Sequence, residues 1–236
     1  MTLALGIDLG GTKIEIIALD DEGKELLRRR KPTPQGSYQG TLEALRDLIS
    51  ETEFELGAKG TLGAGTPGAI SPATGLLKNA NSTWLNGKPF DRDLKDCLGR
   101  DIAIANDADC LALSEATDGA AAGATSVFCV IIGTGVGGGL VVRGEPVSGP
   151  NAIAGEWGHN HLPRTTPEEM PGPSCYCGLH GCIETWLSGP GMARDHLAVT
   201  GKEVDPPVIV KEAEDGDAEA EATLSRYEDR LARGLS

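Results

Sequence analysis

Ile104-Ala105-Asn106-Asp107-Ala108-Asp109 is where the chain changes character. The apolar run from Ile102 to Ala105 has strand character, two polar residues follow it, and Cys110 to Ala116 is Ala-rich and helix-like. A carboxylate at the end of a strand and the mouth of a helix stands where α/β folds place their chemistry. Two readings of Asp107 are open on these residues alone. It is either a helix N-cap or a general base set to draw a proton from a hydroxyl. What surrounds it decides between them.

The bulk properties narrow the field. The 236 residues suffice for one large or two modest domains with proper cores. The 33 glycines announce many tight turns rather than disorder. A net charge of −14 argues against a nucleic-acid or anionic-membrane surface. It does not exclude a nucleoside triphosphate, because backbone N–H groups and a metal ion can hold phosphate locally. No 18-residue apolar run is present, and the chain enters strand-like sequence at Leu3. Neither a signal peptide nor a membrane span is expected, and a cytoplasmic location follows as the expectation.

Two glycine turns share one design. Leu3 to Asp8, then Leu9-Gly10-Gly11-Thr12-Lys13, then Ile14 to Asp20 reads as strand, turn, strand; Glu25 to Lys31 adds a third strand after the Asp21-Glu22-Gly23-Lys24 turn. A P-loop needs a helix after its glycines and is absent. The Gly10-Gly11-Thr12 hairpin can instead turn its N–H groups and the Thr12 hydroxyl toward a phosphate, with Asp8 beside it able to hold magnesium through water. Val127 to Ile132 is a continuous apolar run, expected to be a strand buried on both faces. It enters Gly133-Thr134-Gly135-Val136-Gly137-Gly138-Gly139 and repeats the first design. Glycines weaken a strand by about 0.5–1 kcal/mol each, so five in seven residues favour phosphate contact over packing. Two such turns suggest duplicated halves clasping a nucleotide.

Between these turns lie further candidates. Tyr38 to Leu56 has helical spacing at Leu42, Leu45, Leu48 and Ile49. Gly60 to Ala69 is a strand running into a Gly/Pro turn, where Gly65 and Thr66 allow close approach of a ligand. Lys78 to Gly87 carries three Asn and a Trp without periodicity. Amides beside an aromatic suit vicinal sugar hydroxyls, although a solvated loop with one anchoring Trp reads the same way. Phe90 to Leu98 is a short amphipathic helix, Ile183 to His196 a helix broken near Ser188-Gly189-Pro190-Gly191, and Asp217 to Leu235 a charged amphipathic helix.

Six cysteines fall into two groups. Cys97, Cys110 and Cys129 are scattered, whereas Cys175, Cys177 and Cys182 cluster with an odd count. Without an export signal, that favours a metal over disulfides. Tetrahedral zinc wants four N or S ligands; His159 is the first choice for the fourth, with His161 and His180 as alternatives. Such a closed site is structural, tying down the loop from Pro163 to Pro173 and holding Glu156 and Glu184.

Together, Asp8-Leu9-Gly10-Gly11-Thr12-Lys13, Asn106-Asp107-Ala108, Ile132-Gly133-Thr134-Gly135, Gly155-Glu156-Trp157-Gly158-His159 and the run from Cys175 to Glu184 resemble the ROK family of sugar kinases and repressors. Asn79 to Gly87 and Asp118 to Gly123 look most like its fructokinase branch. The resemblance implies the actin-like ATPase (ribonuclease H-like)/hexokinase fold, two α/β domains with a cleft between, here divided as 1–108 and 109–236. It implies ATP-dependent phosphorylation of a hexose at its 6-hydroxyl, fructose first and mannose or glucose next, with Asp107 as base. Asn81, Asn106, Asp107, Glu156, His159 and Glu184 are then the sugar contacts. Asp8, Gly10, Gly11, Thr12, Lys13, Gly133, Thr134 and Gly135 hold the ATP phosphates with Mg²⁺, and His159, Cys175, Cys177 and Cys182 bind zinc. A homodimer is the family habit. Family members continue for some sixty residues past the equivalent of Ser236, with a strand and Gly-Gly turn toward adenosine. The second domain is therefore expected to be C-terminally incomplete, and a sugar- and zinc-binding form with impaired catalysis is the alternative. A sugar-responsive repressor is disfavoured, because strands rather than a helix-turn-helix open the acidic chain.

Overall fold

The computed structural model describes residues 2–236. Its first sheet grows from the meander expected at the N-terminus. Strands β1 (Ala4–Leu9), β2 (Lys13–Leu19) and β3 (Glu25–Pro32) pair antiparallel through the two short turns. Helix α1 (Tyr38–Leu56) follows, capped by the Ser37 hydroxyl accepting from Gly40 N–H at 3.0 Å and stopped by Gly57 at φ 66°. Leu42, Leu45, Leu48 and Ile49 form its buried face. Strand β4 (Thr61–Thr66) then returns parallel to β1. A small hairpin, β5 (Ala69–Ile70) and β6 (Leu77–Lys78), and helix α2 (Phe90–Leu98) lead to β7 (Ala103–Asn106). That strand lies parallel to β4, giving the order β3-β2-β1-β4-β7. Leu5, Leu9, Ile14, Ile16, Leu45, Leu48, Leu85, Phe90 and Leu94 fill the core between sheet and helices.

Helix α3 (Asp107–Thr117) starts directly on the end of β7. The chain continues as β8 (Ser126–Ile132), β9 (Val136–Val142) and β10 (Glu145–Pro146), then α4 (Ile183–Leu187), α5 (Gly189–Thr200), α6 (Pro206–Glu214) and α7 (Ala218–Gly234). Contacts divide the chain into two units. The first runs to Thr125 and regains Val141–Ala154; the second is Ser126–Leu140 with Gly155–Ser236. This is not the expected division at 108/109. Helix α3 belongs with the first unit because it packs on β4, β7 and β10. Gly65 permits this: a Cβ there would lie 3.3 Å from Cys110 Sγ and 3.7 Å from Asp107 Cα. The open backbone foreseen at Gly65 therefore admits a helix, not a ligand.

Within the second unit, Val136, Trp157, Leu162, Ile183 and Leu187 form one core cluster, and Met192, Ile209, Ala213 and Ala220 another. Strand β8 is not covered on both faces as its apolar run suggested. Only Val127 is buried in it, while Phe128 and Ile132 remain 43% and 38% exposed. An apolar run reports affinity for a core, but the number of layers laid against a strand is a tertiary matter.

Candidate active site

The first unit gathers its chemistry at the carboxyl ends of three parallel neighbours. In the register of β1, β4 and β7, Asp8 lies across from Gly65 and Thr66 across from Asn106. Asp8, Thr66 and the Asn106-Asp107 corner thus share one edge, the edge where open α/β sheets bind ligands. Asn106, not Asp107, caps α3: its Oδ1 accepts from Ala108 N–H at 2.8 Å and Asp109 N–H at 3.3 Å. Its amide donates to Gly68 O at 3.0 Å. Asn106 is thereby fixed at both ends, and the sugar contact expected of it comes second to holding the corner. Asp107 is left on the first turn with Oδ1 2.8 Å from Ala108 N–H. Burial by surrounding protein raises its carboxyl above the usual range, and the Asp8 charge adds to that against the pull of the Ala108 N–H. Asp8 is raised as well, by burial first and by Glu15 next, with Lys13 and Arg30 opposing.

The first glycine turn is aimed by its carbonyls. Thr33 donates its hydroxyl to Gly10 O at 2.8 Å and its N–H to Thr12 O at 3.0 Å, and the Gln35 amide donates to Gly11 O at 3.1 Å. In a planar trans peptide the N–H points opposite to the C=O. The N–H groups of Gly11, Thr12 and Lys13 are therefore directed away from Thr33 and Gln35. The Asn loop lies against this turn: a Cβ on Gly11 would sit 3.3 Å from Ser82 Oγ and 3.9 Å from Asn81 Oδ1. Asn81 itself is exposed there. The other features of that loop are structural. Asn86 exchanges two hydrogen bonds of 2.9 Å with the Ala80 backbone, and Trp84 Nε1 donates to Thr41 Oγ1 at 3.1 Å.

In the second unit, the Gly133-Thr134-Gly135 turn joins β8 to β9, with Gly133 N–H bonded to Gly135 O at 2.9 Å. Glu184 Oε2 accepts from Val136 N–H at 2.9 Å, and Gly189 N–H donates to Gly133 O at 2.8 Å. Gly138 serves packing, whereas Gly137 faces open space. A Cβ on Gly138 would lie 2.6 Å from Cys129 O, and one on Gly155 would lie 1.8 Å from Gly138 O. Glu156 flanks the short 3-10 turn Trp157–His159, which Trp157 fastens by donating Nε1–H to Gly137 O at 2.7 Å.

The Cys/His cluster assembles. One donor atom from each of His159, Cys175, Cys177 and Cys182 falls within 4.8 Å of the others. Cys177 Sγ is 3.6 Å from Cys182 Sγ, and Cys175 Sγ is 3.5 Å from His159 Nδ1. Ligands about 2.0–2.3 Å from a tetrahedral zinc ion stand roughly 3.5–3.8 Å apart, so the donor set fits. The other ring nitrogen of His159 is 2.9 Å from Tyr176 OH, the kind of contact that orients a ligating imidazole. Of the two alternatives, His161 faces Leu162 O at 2.9 Å and His180 faces Ser174 Oγ at 3.3 Å, outside the cluster.

A model of the ROK family matches residues 4–236. The chain belongs to the ROK family. It is 41% identical over 232 residues to an N-acetyl-D-glucosamine kinase of Escherichia coli O127:H6, which covers 96% of this chain and 76% of that protein. The N-acetyl-D-glucosamine kinase of Pectobacterium atrosepticum is 39% identical over 234 residues, 98% of this chain and 77% of the relative. Among solved structures, the ROK hexokinase of Thermus thermophilus superposes with a TM-score of 0.85 at 32% identity, covering 99% of this chain and 76% of its own. A Streptomyces griseus ROK glucokinase with glucose and AMPPNP gives 0.73 at 25%, covering 99% and 78%. The hexokinase-type α/β fold expected from the motifs is thus the fold of this ROK chain.

One part of the ROK first unit escaped sequence reasoning. A cleft of about 340 Å³ opens beside Asn106, bounded by Thr66, Gly68, Asp109 and Ser148. Lys78, paired in its hairpin with Ala69 of the lining, donates Nζ to Asn151 O at 2.8 Å, next to Ala152 of the lining. Ser148 and Asn151 lie in an aperiodic stretch that offered no signal.

Proposed function

We propose that the protein is an ATP-dependent sugar kinase that phosphorylates a hexose at its 6-hydroxyl. The observation that carries this reading is the shared edge of β1, β4 and β7. There Asn106 holds Asp107 at the mouth of α3, while Asp8 and the tied-back Gly10–Thr12 turn stand at the end of β1. Asp107 is the group that takes the hydroxyl proton; burial raises its carboxyl above that of an ordinary aspartate, which makes it the stronger base. In the first unit the N–H groups of Gly11, Thr12 and Lys13 are the phosphate donors; in the second, where Gly133 N–H is spent on Gly135 O, they are those of Thr134 and Gly135. Phosphoryl transfer asks little more than such positioning and charge neutralisation. Asp8 would hold magnesium, which would supply the charge neutralisation when bound. His159, Cys175, Cys177 and Cys182 would hold a zinc ion, which would tie down the loop that carries Tyr176.

Sugar recognition falls to Asn81, Asn106, Asp107, Glu156, His159 and Glu184. The substrate we favour is N-acetylglucosamine, on the names of relatives about 40% identical over nearly the whole chain. These relatives give no support to the fructokinase reading drawn from Asn79 to Gly87. The test is a coupled ADP-release assay with N-acetylglucosamine, glucose, mannose and fructose. Turnover is expected on the first above the others. A chain that binds these sugars and turns over none of them refutes the kinase assignment.

A further inference from the structure

Glu184 does something at the second glycine turn that a sugar contact does not require. The turn is gripped at both ends by one short stretch, the junction of α4 and α5. Glu184 Oε2 takes Val136 N–H at 2.9 Å on the β9 side, and Gly189 N–H takes Gly133 O at 2.8 Å on the β8 side. The grip is close. A Cβ on Gly135 would stand 2.7 Å from Glu184 Oε2, so a larger residue there would push the carboxylate off the turn. Each bond also aims a peptide. With Gly133 O turned to Gly189, the planar trans linkage sends Thr134 N–H the opposite way. With Val136 N–H given to Glu184, Gly135 O turns back to accept Gly133 N–H at 2.9 Å.

Helix α4 is itself anchored just upstream of Glu184. Ile183 N–H donates to Asn160 O at 2.8 Å, and Cys182, of the Cys/His cluster, is the residue before the helix. The carboxylate thus stands on a fixed platform.

We propose that Glu184 is a positioning residue for nucleotide: it clamps the Gly133–Gly135 turn in the shape that presents Thr134 N–H to the phosphates of ATP. This rests on the kinase reading and adds to it a role apart from sugar. A carboxylate has two oxygens, and Oε2 is the one committed to the turn.

The experiment measures Mg·ADP affinity by calorimetry in the absence of sugar, together with amide hydrogen exchange at Val136. Three versions of the 236-residue chain are compared: wild type, Glu184→Ala and Glu184→Gln. Losing one hydrogen bond that shapes the site should weaken Mg·ADP by about fivefold in Glu184→Ala and speed exchange at Val136. Glu184→Gln keeps an acceptor oxygen and should restore both to within about twofold of wild type. A residue that met only sugar would move neither readout. Unchanged affinity and unchanged exchange in Glu184→Ala overturn the clamp. Loss of affinity in Glu184→Gln equal to that in Glu184→Ala, with Val136 exchange slow throughout, overturns it too, since the carboxylate then acts by charge alone. A wild type without Mg·ADP affinity, with exchange still faster in Glu184→Ala, overturns the link to nucleotide through the phosphate reading instead.

Discussion

Glu169→Gln should destabilise the second unit by about 3 kcal/mol at neutral pH, and that loss should fade in acid. Glu169 is buried where the 163–173 loop meets α7. It accepts from Arg233 Nη1 and Nη2 at 2.9 and 2.8 Å and from Arg230 Nε at 2.9 Å. The Arg233 guanidinium above all, then Arg230, holds its carboxyl at about 2 against an ordinary 4.5, although burial pushes the other way. A carboxyl held that low contributes about 3 kcal/mol of folded-state stability at pH 7. Breaking a buried pair from one side costs a similar amount, roughly 3–5 kcal/mol. The lower figure is the better one here. Arg230 keeps Asp195 at 2.8 Å and Arg233 keeps Asp229 at 2.9 Å after the change. The sign follows from the depressed carboxyl: its stabilisation is complete above the unfolded value near 4.5 and is lost as pH falls toward about 2. By pH 3 the wild-type advantage should be under half its neutral value. Urea unfolding followed by Trp186 fluorescence is the assay, because the Arg230 guanidinium lies 4.4 Å from the centre of the Trp186 ring. A difference below about 0.5 kcal/mol at pH 7, the range of ordinary surface substitutions, or one that persists undiminished at pH 3, refutes the reasoning.

Other changes test the site directly. Asp107→Asn should lower kcat by several orders of magnitude, about 10³-fold or more, with sugar affinity within a few-fold by calorimetry; unaltered turnover removes Asp107 as the base. Because the Asp107 carboxyl is raised and must be ionised to act, kcat/KM should fall as pH drops through a value above 3.8, and Asp8→Asn should move that acid limb to lower pH. Metal analysis should find about one zinc per chain, lost in Cys177→Ser; a folded, zinc-free wild type contradicts the donor set. Gly155→Ala should destabilise by more than 2 kcal/mol in urea, since its Cβ would fall 1.8 Å from Gly138 O and neither backbone can yield; a neutral result would mean the Gly155 turn and β9 separate easily.

The sequence by itself was enough for the elements and the chemical cast. Helical spacing at Leu42, Leu45, Leu48 and Ile49 marked α1 to the residue, and the glycine turns marked the hairpins. Such signals are local: periodicity, caps and turn chemistry depend on neighbours a few positions away. The clustered cysteines likewise pointed to the Cys/His cluster. Tertiary structure decided what each glycine and polar group is for. Gly65 accommodates a helix, Gly138 and Gly155 let backbones meet, Asn86 closes its own loop, and Asn106 rather than Asp107 caps α3. Tertiary structure also chose His159 over His161 and His180, and set Glu184 against a turn forty-eight residues away. Close approach and long-range hydrogen bonds are relations between distant segments, so no window of sequence can contain them. A missing Cβ says only that something comes near; folding settles whether that something is a phosphate, a helix or another strand.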